Sequence, residues 1–129
     1  MRIFVTRWFV RFARRERIAD ADLREAVHRA ESGLVDADLG GGVIKQRIAR
    51  PHAGKSGGYR SIVLLRSGDR AFFVYAFAKN ARATIRPNEL LGFKRLAAEM
   101  LGYDEAALAR ALASGALEEV SSDEQDLSE

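Results

Sequence analysis

The fold is decided by residues 45–86, which read KQRIARPHAGKSGGYRSIVLLRSGDRAFFVYAFAKNARATIR. Apolar alternation predicts strands over residues 43–49, 59–66 and 70–78, and Ser67-Gly68-Asp69 predicts a tight hairpin turn between the last two. Because an unpaired buried charge is costly, we expect the cations of this stretch to crowd one face of the sheet and the strand ends. A sheet with one apolar and one cationic face is suited to binding a polyanion, which indicates nucleic acid. These cations are Lys45, Arg47, Arg50, Lys55, Arg60, Lys79 and Arg82.

Composition restricts the class of protein. A length of 129 residues predicts one domain. The chain has no cysteine and only two histidines, in different predicted elements, so it offers neither a disulfide nor a set of zinc ligands. No apolar run approaches the ~20 residues of a membrane-spanning helix. The basic N-terminus lacks the apolar core of a signal peptide. We therefore expect a soluble, cytoplasmic protein without a metal or other cofactor.

Charge is distributed unevenly along the chain. Residues 1–86 carry 18 basic and 8 acidic side chains, whereas residues 87–129 carry 3 and 10. This asymmetry predicts a basic binding domain over residues 1–117 and an acidic, disordered tail over residues 118–129. The tail is interpreted as a solubilising end, with transient shielding of the basic sheet as the alternative.

The remaining patterns predict a strand over residues 2–6 and an amphipathic helix with an arginine face from Arg7 to Arg17. Asp20 is the predicted N-cap of a second helix that ends near Gly33. Residues 34–42 read as a connector. Pro87 predicts the start of a third helix, and Asp104 caps a fourth that is followed by a small edge strand over residues 118–120. The order βααβββαα predicts an α+β fold in which helices flank an antiparallel meander.

Several motifs have alternative interpretations. Gly54-Lys55-Ser56 is not a phosphate-binding P-loop, since Ala49 stands where the first glycine is needed and a strand follows. The arginine helix is either a solvated face or a surface for RNA or another anionic partner. His28 is interpreted as structural. His52 is the one side chain of the cationic region that can shuttle a proton near neutral pH. Tyr59 is a weak candidate for stacking on RNA bases.

Two segments give the chain a family resemblance. Residues 40–60, GGGVIKQRIARPHAGKSGGYR, and residues 77–82, FAKNAR, are similar to the RelE/HigB-type toxins of bacterial type II toxin–antitoxin systems. The resemblance implies a RelE-like antiparallel sheet with two N-terminal helices and a C-terminal helical segment. It also implies metal-independent cleavage of mRNA on the ribosome by attack of the 2′-hydroxyl group, and neutralisation by a cognate antitoxin, expected to be a helix-turn-helix protein.

The resemblance also assigns site residues. Arg60 matches the arginine that contacts the scissile phosphate, and Lys79 and Arg82 match the basic pair after the last central strand. Asn80 and Arg86 stand where well-studied members have a catalytic arginine and an RNA-stacking tyrosine. The predicted catalytic residues are therefore Arg60, Lys45, Lys79 and Arg82, and the predicted RNA-binding residues are Arg47, Arg50, His52, Lys55, Tyr59 and Arg86. Two alternatives stay open: a non-catalytic RNA-binding or interaction protein on this scaffold, and a gyrase-targeting relative.

Overall fold

The computed structural model describes residues 1–49 and 58–122. It confirms the α+β fold and the predicted order of the main elements, and the bounds of β4 and β5 agree with the prediction residue for residue. The elements are β1 (Arg2–Thr6), α1 (Arg7–Glu16), α2 (Asp20–Glu31), β2 (Ala37–Gly40), β3 (Val43–Ile48), β4 (Tyr59–Arg66), β5 (Arg70–Ala78), α3 (Pro87–Met100), α4 (Glu105–Ser114) and β6 (Leu117–Glu119).

The strands form one mixed sheet in the order β2-β3-β4-β5-β1-β6. β3, β4 and β5 are the predicted antiparallel meander. β1 instead lies parallel to β5, and a parallel neighbour requires the long connection that α1 to β4 provide. β2 lies inside the segment that the sequence predicts to be a connector. The sequence does not predict this strand because ADLG has no alternating apolar pattern. It forms as the hairpin partner of β3.

The hairpin between β2 and β3 depends on Gly42. Its φ is +84°, and a Cβ atom built there would lie 2.6 Å from Cδ1 of Leu101 at the end of α3. A side chain at this position would therefore be strained by the backbone and would push aside the Cδ1 methyl group of Leu101. Gly42 thus lets α3 pack closely over the edge of the sheet.

Apolar side chains cover both faces of the sheet. α1 and α2 pack on one face around Phe9 and Phe73, and α3 and α4 pack on the other around Phe72 and Met100. The prediction of one wholly cationic face is therefore wrong. β4 and β5 carry apolar residues toward both faces over most of their length, so cations stand only at the ends of these strands. Arg66 and Arg70 lie at the end opposite Arg60, where they donate to the carbonyls of Leu101 and Tyr103.

The start of α2 differs from the prediction by one residue. Ala19 takes the N-cap position, and the backbone N–H of Ala19 donates to the carboxylate of Asp22 at 2.9 Å. The carboxylate of Asp20, the predicted cap, instead accepts hydrogen bonds from the backbone N–H and the hydroxyl of Ser121, each at 3.1 Å. α4 begins at the predicted cap, Asp104.

The ordered sheet extends past residue 117. β6 is antiparallel to β1, and the backbone N–H of Val120 donates to the carbonyl of Ile3 at 2.8 Å. Ser121 is then held against α2, on the face opposite the meander's cations. Of the predicted tail, residues 123–129 lie outside the described part of the chain. α3, the longest helix described, has 14 residues, and no helix in the described ranges is long and apolar enough to cross a membrane.

Candidate active site

Three predicted cations share one end of the sheet face that α3 and α4 cover. In the register of β3, β4 and β5, Arg47 lies opposite Arg60, and Arg60 lies opposite Phe77. Lys45, two residues before Arg47 on β3, lies opposite Ile62 on β4. Directly opposite residues point to the same face, as do residues two apart on a strand. The sheet therefore brings Lys45, Arg47 and Arg60 together.

The facing pair of Arg47 and Arg60 carries a cost for folding. Like charges directly opposite each other on neighbouring strands destabilise a sheet. The pair is also next to a position, Phe77, that is buried. Two guanidinium groups held opposite each other make this end of the face strongly positive, which is the charge that an anionic ligand complements.

Arg60 and Lys45 are available to such a ligand. Both side chains are partly exposed. Within residues 1–49 and 58–122, neither has a hydrogen bond or an ion pair. Lys45 stands diagonally from Arg60 across the two strands, at about 7–8 Å between backbone positions, which two long side chains can span to reach one phosphate group.

Arg82 lies at the same end of the sheet but is held by several partners. Its guanidinium group donates to both carboxylate oxygens of Glu89, at 2.5 and 3.1 Å, to the hydroxyl of Tyr75 at 3.2 Å and to the carbonyl of Thr84 at 2.9 Å. It also lies over the ring of Phe77, at 5.3 Å from the centroid. Arg82 therefore fastens the loop after β5 and the start of α3 to the sheet.

These contacts explain two pKa shifts. Hydrogen bonds from Arg82, and then from the backbone N–H of Arg86, lower the pKa of Glu89 from 4.5 to about 2. The same carboxylate, with a smaller contribution from Tyr75, raises the pKa of the Arg82 guanidinium above its ordinary value. Both groups therefore stay charged at every pH at which the protein is expected to act.

Gln46, on the opposite face of β3, and Asp36, in the segment before β2, position the backbone that carries the β3 cations. The buried amide of Gln46 donates to the carbonyls of Ala26 and Leu34, both at 3.0 Å, and accepts from the backbone N–H of Asp36 at 3.1 Å. The Asp36 carboxylate accepts from the backbone N–H of Arg47 at 2.5 Å. Since Gln46 separates Lys45 from Arg47, this network fixes the backbone that carries both cations.

Gly58 makes space for the Arg47 side chain. A Cβ atom at Gly58 would lie 3.1 Å from Nε of Arg47 and 3.0 Å from the carbonyl oxygen of Ile48. Both distances are shorter than an ordinary contact, so a larger residue would displace the guanidinium group or the strand. The glycine that precedes Tyr59-Arg60 in the family-like motif therefore has a steric role at the site.

The structure contradicts the prediction that Tyr59 contacts RNA. Tyr59 is 3% exposed and lies on the face that α1 covers. Its ring packs edge-on against Phe12 at 5.5 Å, and its hydroxyl donates to the carboxylate of Glu16 at 2.6 Å. Consecutive residues of a strand point to opposite faces, so Tyr59 cannot share a surface with Arg60.

The other predicted residues are more dispersed. Lys79 is exposed in the turn after β5, and Arg86 is exposed at the N-cap of α3. The predictions for Arg50, His52 and Lys55 lie outside the described residues. In the part of the chain that the structure describes, no three His, Asp or Glu side chains are placed to hold one metal ion.

Three contributors to this surface could not be inferred as such from the sequence. Glu89 is seven residues from its partner Arg82, and no local pattern links them. Tyr75 and Phe77 are visible as strand aromatics, but the sequence favours a place in the core. The structure puts both rings under Arg82, with Tyr75 also contacting Trp8 of α1 at 4.8 Å and Phe93 of α3 at 5.9 Å.

A cationic patch at one end of an antiparallel meander, with helices on both faces of the sheet, defines a small basic α+β protein with a surface suited to an anionic partner. A family model described as the RelE toxin of the RelE/RelB toxin–antitoxin system matches residues 1–120. The chain belongs to this family. It is a toxin of a toxin–antitoxin system, with a cognate antitoxin as its partner. Comparison with the curated proteins finds no match.

Proposed function

We propose that this toxin is an endoribonuclease that cuts mRNA on the ribosome, in the cytoplasm, without a metal ion. The observation that supports the proposal is a pair of partly exposed cations, Arg60 and Lys45, at the end of the sheet where Arg82 is also held. Among residues 1–49 and 58–122, neither of the two has a hydrogen bond or an ion pair. A phosphodiester is the anion that suits them, because two long cationic side chains from neighbouring strands can reach its two free oxygens.

The proposed reaction needs charge stabilisation and two proton transfers. The 2′-oxygen attacks the phosphorus, and the bond to the 5′-oxygen breaks. The products are a 2′,3′-cyclic phosphate and a 5′-hydroxyl. One proton leaves the 2′-hydroxyl and one reaches the departing 5′-oxygen. The phosphorane carries more negative charge than the phosphodiester, so cations fixed around it stabilise the transition state more than the substrate.

The residues take different roles in this proposal. Arg60 binds the scissile phosphate and stabilises the phosphorane, and Lys45 holds the second free oxygen. Arg82 closes one side of the site from its fixed position on Glu89. Arg47, Lys79 and Arg86 bind the phosphates on either side. The groups that transfer the two protons are not assigned, and His52 and Lys45 are the candidates.

The test replaces Arg60 with alanine. We expect the Arg60→Ala variant to lose cleavage of translated mRNA by about 100-fold or more, as when one transition-state donor is removed. Its expression should no longer arrest growth. Arg95→Ala is the matched control, because Arg95 is an exposed arginine on α3 without a hydrogen bond or ion pair in the described residues. Full cleavage by Arg60→Ala would overturn the site.

A non-catalytic RNA-binding protein is the second candidate. It is favoured by the occupation of Arg82 by Glu89, together with Asn80 at the position where the resemblance expects a catalytic arginine. Mapping of RNA ends on translated mRNA separates the two candidates, because binding without any cut supports the second. A supercoiling assay with purified gyrase tests the gyrase-targeting alternative.

The antitoxin partner is proposed to be a small helix-turn-helix protein encoded next to the toxin. Its co-expression should restore growth. A neighbouring gene product that does not restore growth would refute this choice of partner without affecting the assignment of the family.

A further inference from the structure

Trp8, in the first turn of α1, is an exposed aromatic side chain outside the site described so far. It is 39% exposed, one of four large apolar residues that stay exposed among those described. β1 pairs with β5 only up to Val5 and Phe73, so no strand in the described part of the chain lies beside the rest of β5 on this side. The first turn of α1 passes along this open edge, where Trp8 stacks on Phe12 at 5.4 Å.

Contacts connect Trp8 to the candidate active site. Its ring lies 4.8 Å from that of Tyr75, whose hydroxyl accepts a hydrogen bond from Arg82. Tyr75 and Phe77 are neighbours on the same face, and Phe77 lies opposite Arg60. The path from Trp8 to Arg60 consists of the 4.8 Å between the rings of Trp8 and Tyr75, the 6.1 Å between those of Tyr75 and Phe77, and one strand spacing of roughly 5 Å. A few nucleotides of extended RNA can span this distance.

Two arginines stand on the same side of α1 as Trp8. Arg11 and Arg15 follow it by three and seven residues, the spacing of one helix face. Arg11 is exposed and, among the described residues, has no hydrogen bond or ion pair. Arg15 lies over the ring of Phe12 at 5.4 Å and pairs with Glu16 at 3.3 Å. The helix thus presents an exposed indole ring and, one turn further on, an arginine that has no hydrogen bond or ion pair within the described ranges.

We propose that Trp8 and Arg11 form a subsite for single-stranded RNA, in which the indole ring stacks on a base and Arg11 binds an adjacent phosphate. The proposal rests on the proposed action on RNA and extends it from the scissile phosphate to α1. Stacking on an exposed aromatic ring together with a cation on the backbone is how proteins hold unpaired nucleotides. A nucleic acid is favoured over an acidic peptide because the ring is joined through Tyr75 to the cations of the sheet.

The test measures binding of a short RNA in which a 2′-deoxynucleotide at the cut site prevents cleavage. Trp8→Leu keeps an apolar cover for the edge of β5 but removes the stacking ring, and Trp8→Phe keeps a ring. We expect Trp8→Leu to weaken binding about five- to tenfold and Trp8→Phe to stay near the wild type. The wild type and both variants should have the same affinity for an RNA that is truncated at the cut site, because this RNA does not reach Trp8.

The proposed contact between Arg11 and an RNA phosphate is tested by the salt dependence of binding. The slope of log affinity against log salt is negative, and in the Arg11→Ala variant it should become shallower by about one, because one phosphate contact is lost. Arg110→Ala is the matched control, an exposed arginine on α4 that should leave the slope unchanged. An unchanged slope in Arg11→Ala would remove Arg11 from the subsite.

Three outcomes overturn the proposal: wild-type affinity in Trp8→Leu at an unchanged melting temperature, an equal loss on the truncated RNA, or a loss of affinity for the antitoxin instead of RNA. The outcome for the proposed function is read separately. If the wild type binds RNA without cutting it while Trp8→Leu binds more weakly, the subsite stands and the ribonuclease proposal falls. If Arg60→Ala abolishes cutting while Trp8→Leu binds RNA like the wild type, the ribonuclease proposal stands and the subsite falls.

Discussion

Replacing Tyr59 with phenylalanine separates a structural role from an RNA-binding role at this position. The change removes one hydroxyl group and keeps the ring that packs against Phe12. The hydroxyl donates to the carboxylate of Glu16 at 2.6 Å, and this bond joins β4 to the end of α1. We expect Tyr59→Phe to be less stable than the wild type and equally active for each folded molecule.

The expected loss of stability follows from the environment of the hydrogen bond. A hydrogen bond to a charged group contributes about 1.5–3 kcal/mol. The Glu16 side chain is 28% exposed and also pairs with Arg15 at 3.3 Å, so in the variant its carboxylate recovers water and keeps its contact with Arg15. We therefore expect the free energy of unfolding to fall by about 1–1.5 kcal/mol. An unfolding entropy of about 2.1 cal/mol/K per residue over 129 residues converts this into a decrease in melting temperature of about 4–6 °C.

Calorimetric melting and RNA cleavage, measured on the same preparations, test this reasoning. Tyr59→Ala is the companion variant, and because it also empties the space of a buried ring it should lose about 3–5 kcal/mol. If Tyr59→Phe kept the wild-type melting temperature and lost cleavage more than tenfold, the hydroxyl would contact RNA. The assignment of Tyr59 to the face of α1 would then be wrong.

Two further predictions concern the hairpin and the Arg82 contacts. In denaturant titrations, Gly42→Ala should reduce the free energy of unfolding by about 1–3 kcal/mol, because of the left-handed backbone and the close contact with Leu101. The control Gly92→Ala, in α3, has open space at its Cβ and should increase the free energy of unfolding by up to about 1 kcal/mol. Glu89→Gln should lower the melting temperature at neutral pH. Because the folded pKa of Glu89 is about 2 and its ordinary value is 4.5, the difference from the wild type should be complete above about pH 5 and shrink as the pH falls from 4.5 toward 2. Equal stabilities of Gly42→Ala and Gly92→Ala would contradict the steric role of Gly42. A difference between Glu89→Gln and the wild type that does not change with pH would contradict the contact between Glu89 and Arg82.

Local signals made much of the fold predictable. The turn at Gly68 and the apolar runs on either side fix β4 and β5, and Pro87 and Asp104 mark the starts of two helices. Each of these signals acts within a few residues, so the neighbouring sequence is sufficient to read it. β2 was missed because four residues with an aspartate and a glycine have no periodicity of their own. β2 is a strand only because β3 pairs with it.

The candidate site divides in the same way. The sequence by itself determined that Lys45, Arg47 and Arg60 are on strands and that the chain is a RelE-type toxin, since residue type, strand period and family motif are all written along the chain. Strand alternation also implies that Tyr59 and Arg60 face opposite sides.

Only the tertiary structure decided which side each residue takes and what meets it there. The register of β3, β4 and β5 puts Arg47 against Arg60, and the packing of α3 brings Glu89 to Arg82. The path of α1 along the open edge of β5 brings Trp8 to Tyr75. These contacts join residues on separate elements, and their geometry is set by how the helices pack on the sheet rather than by any local preference.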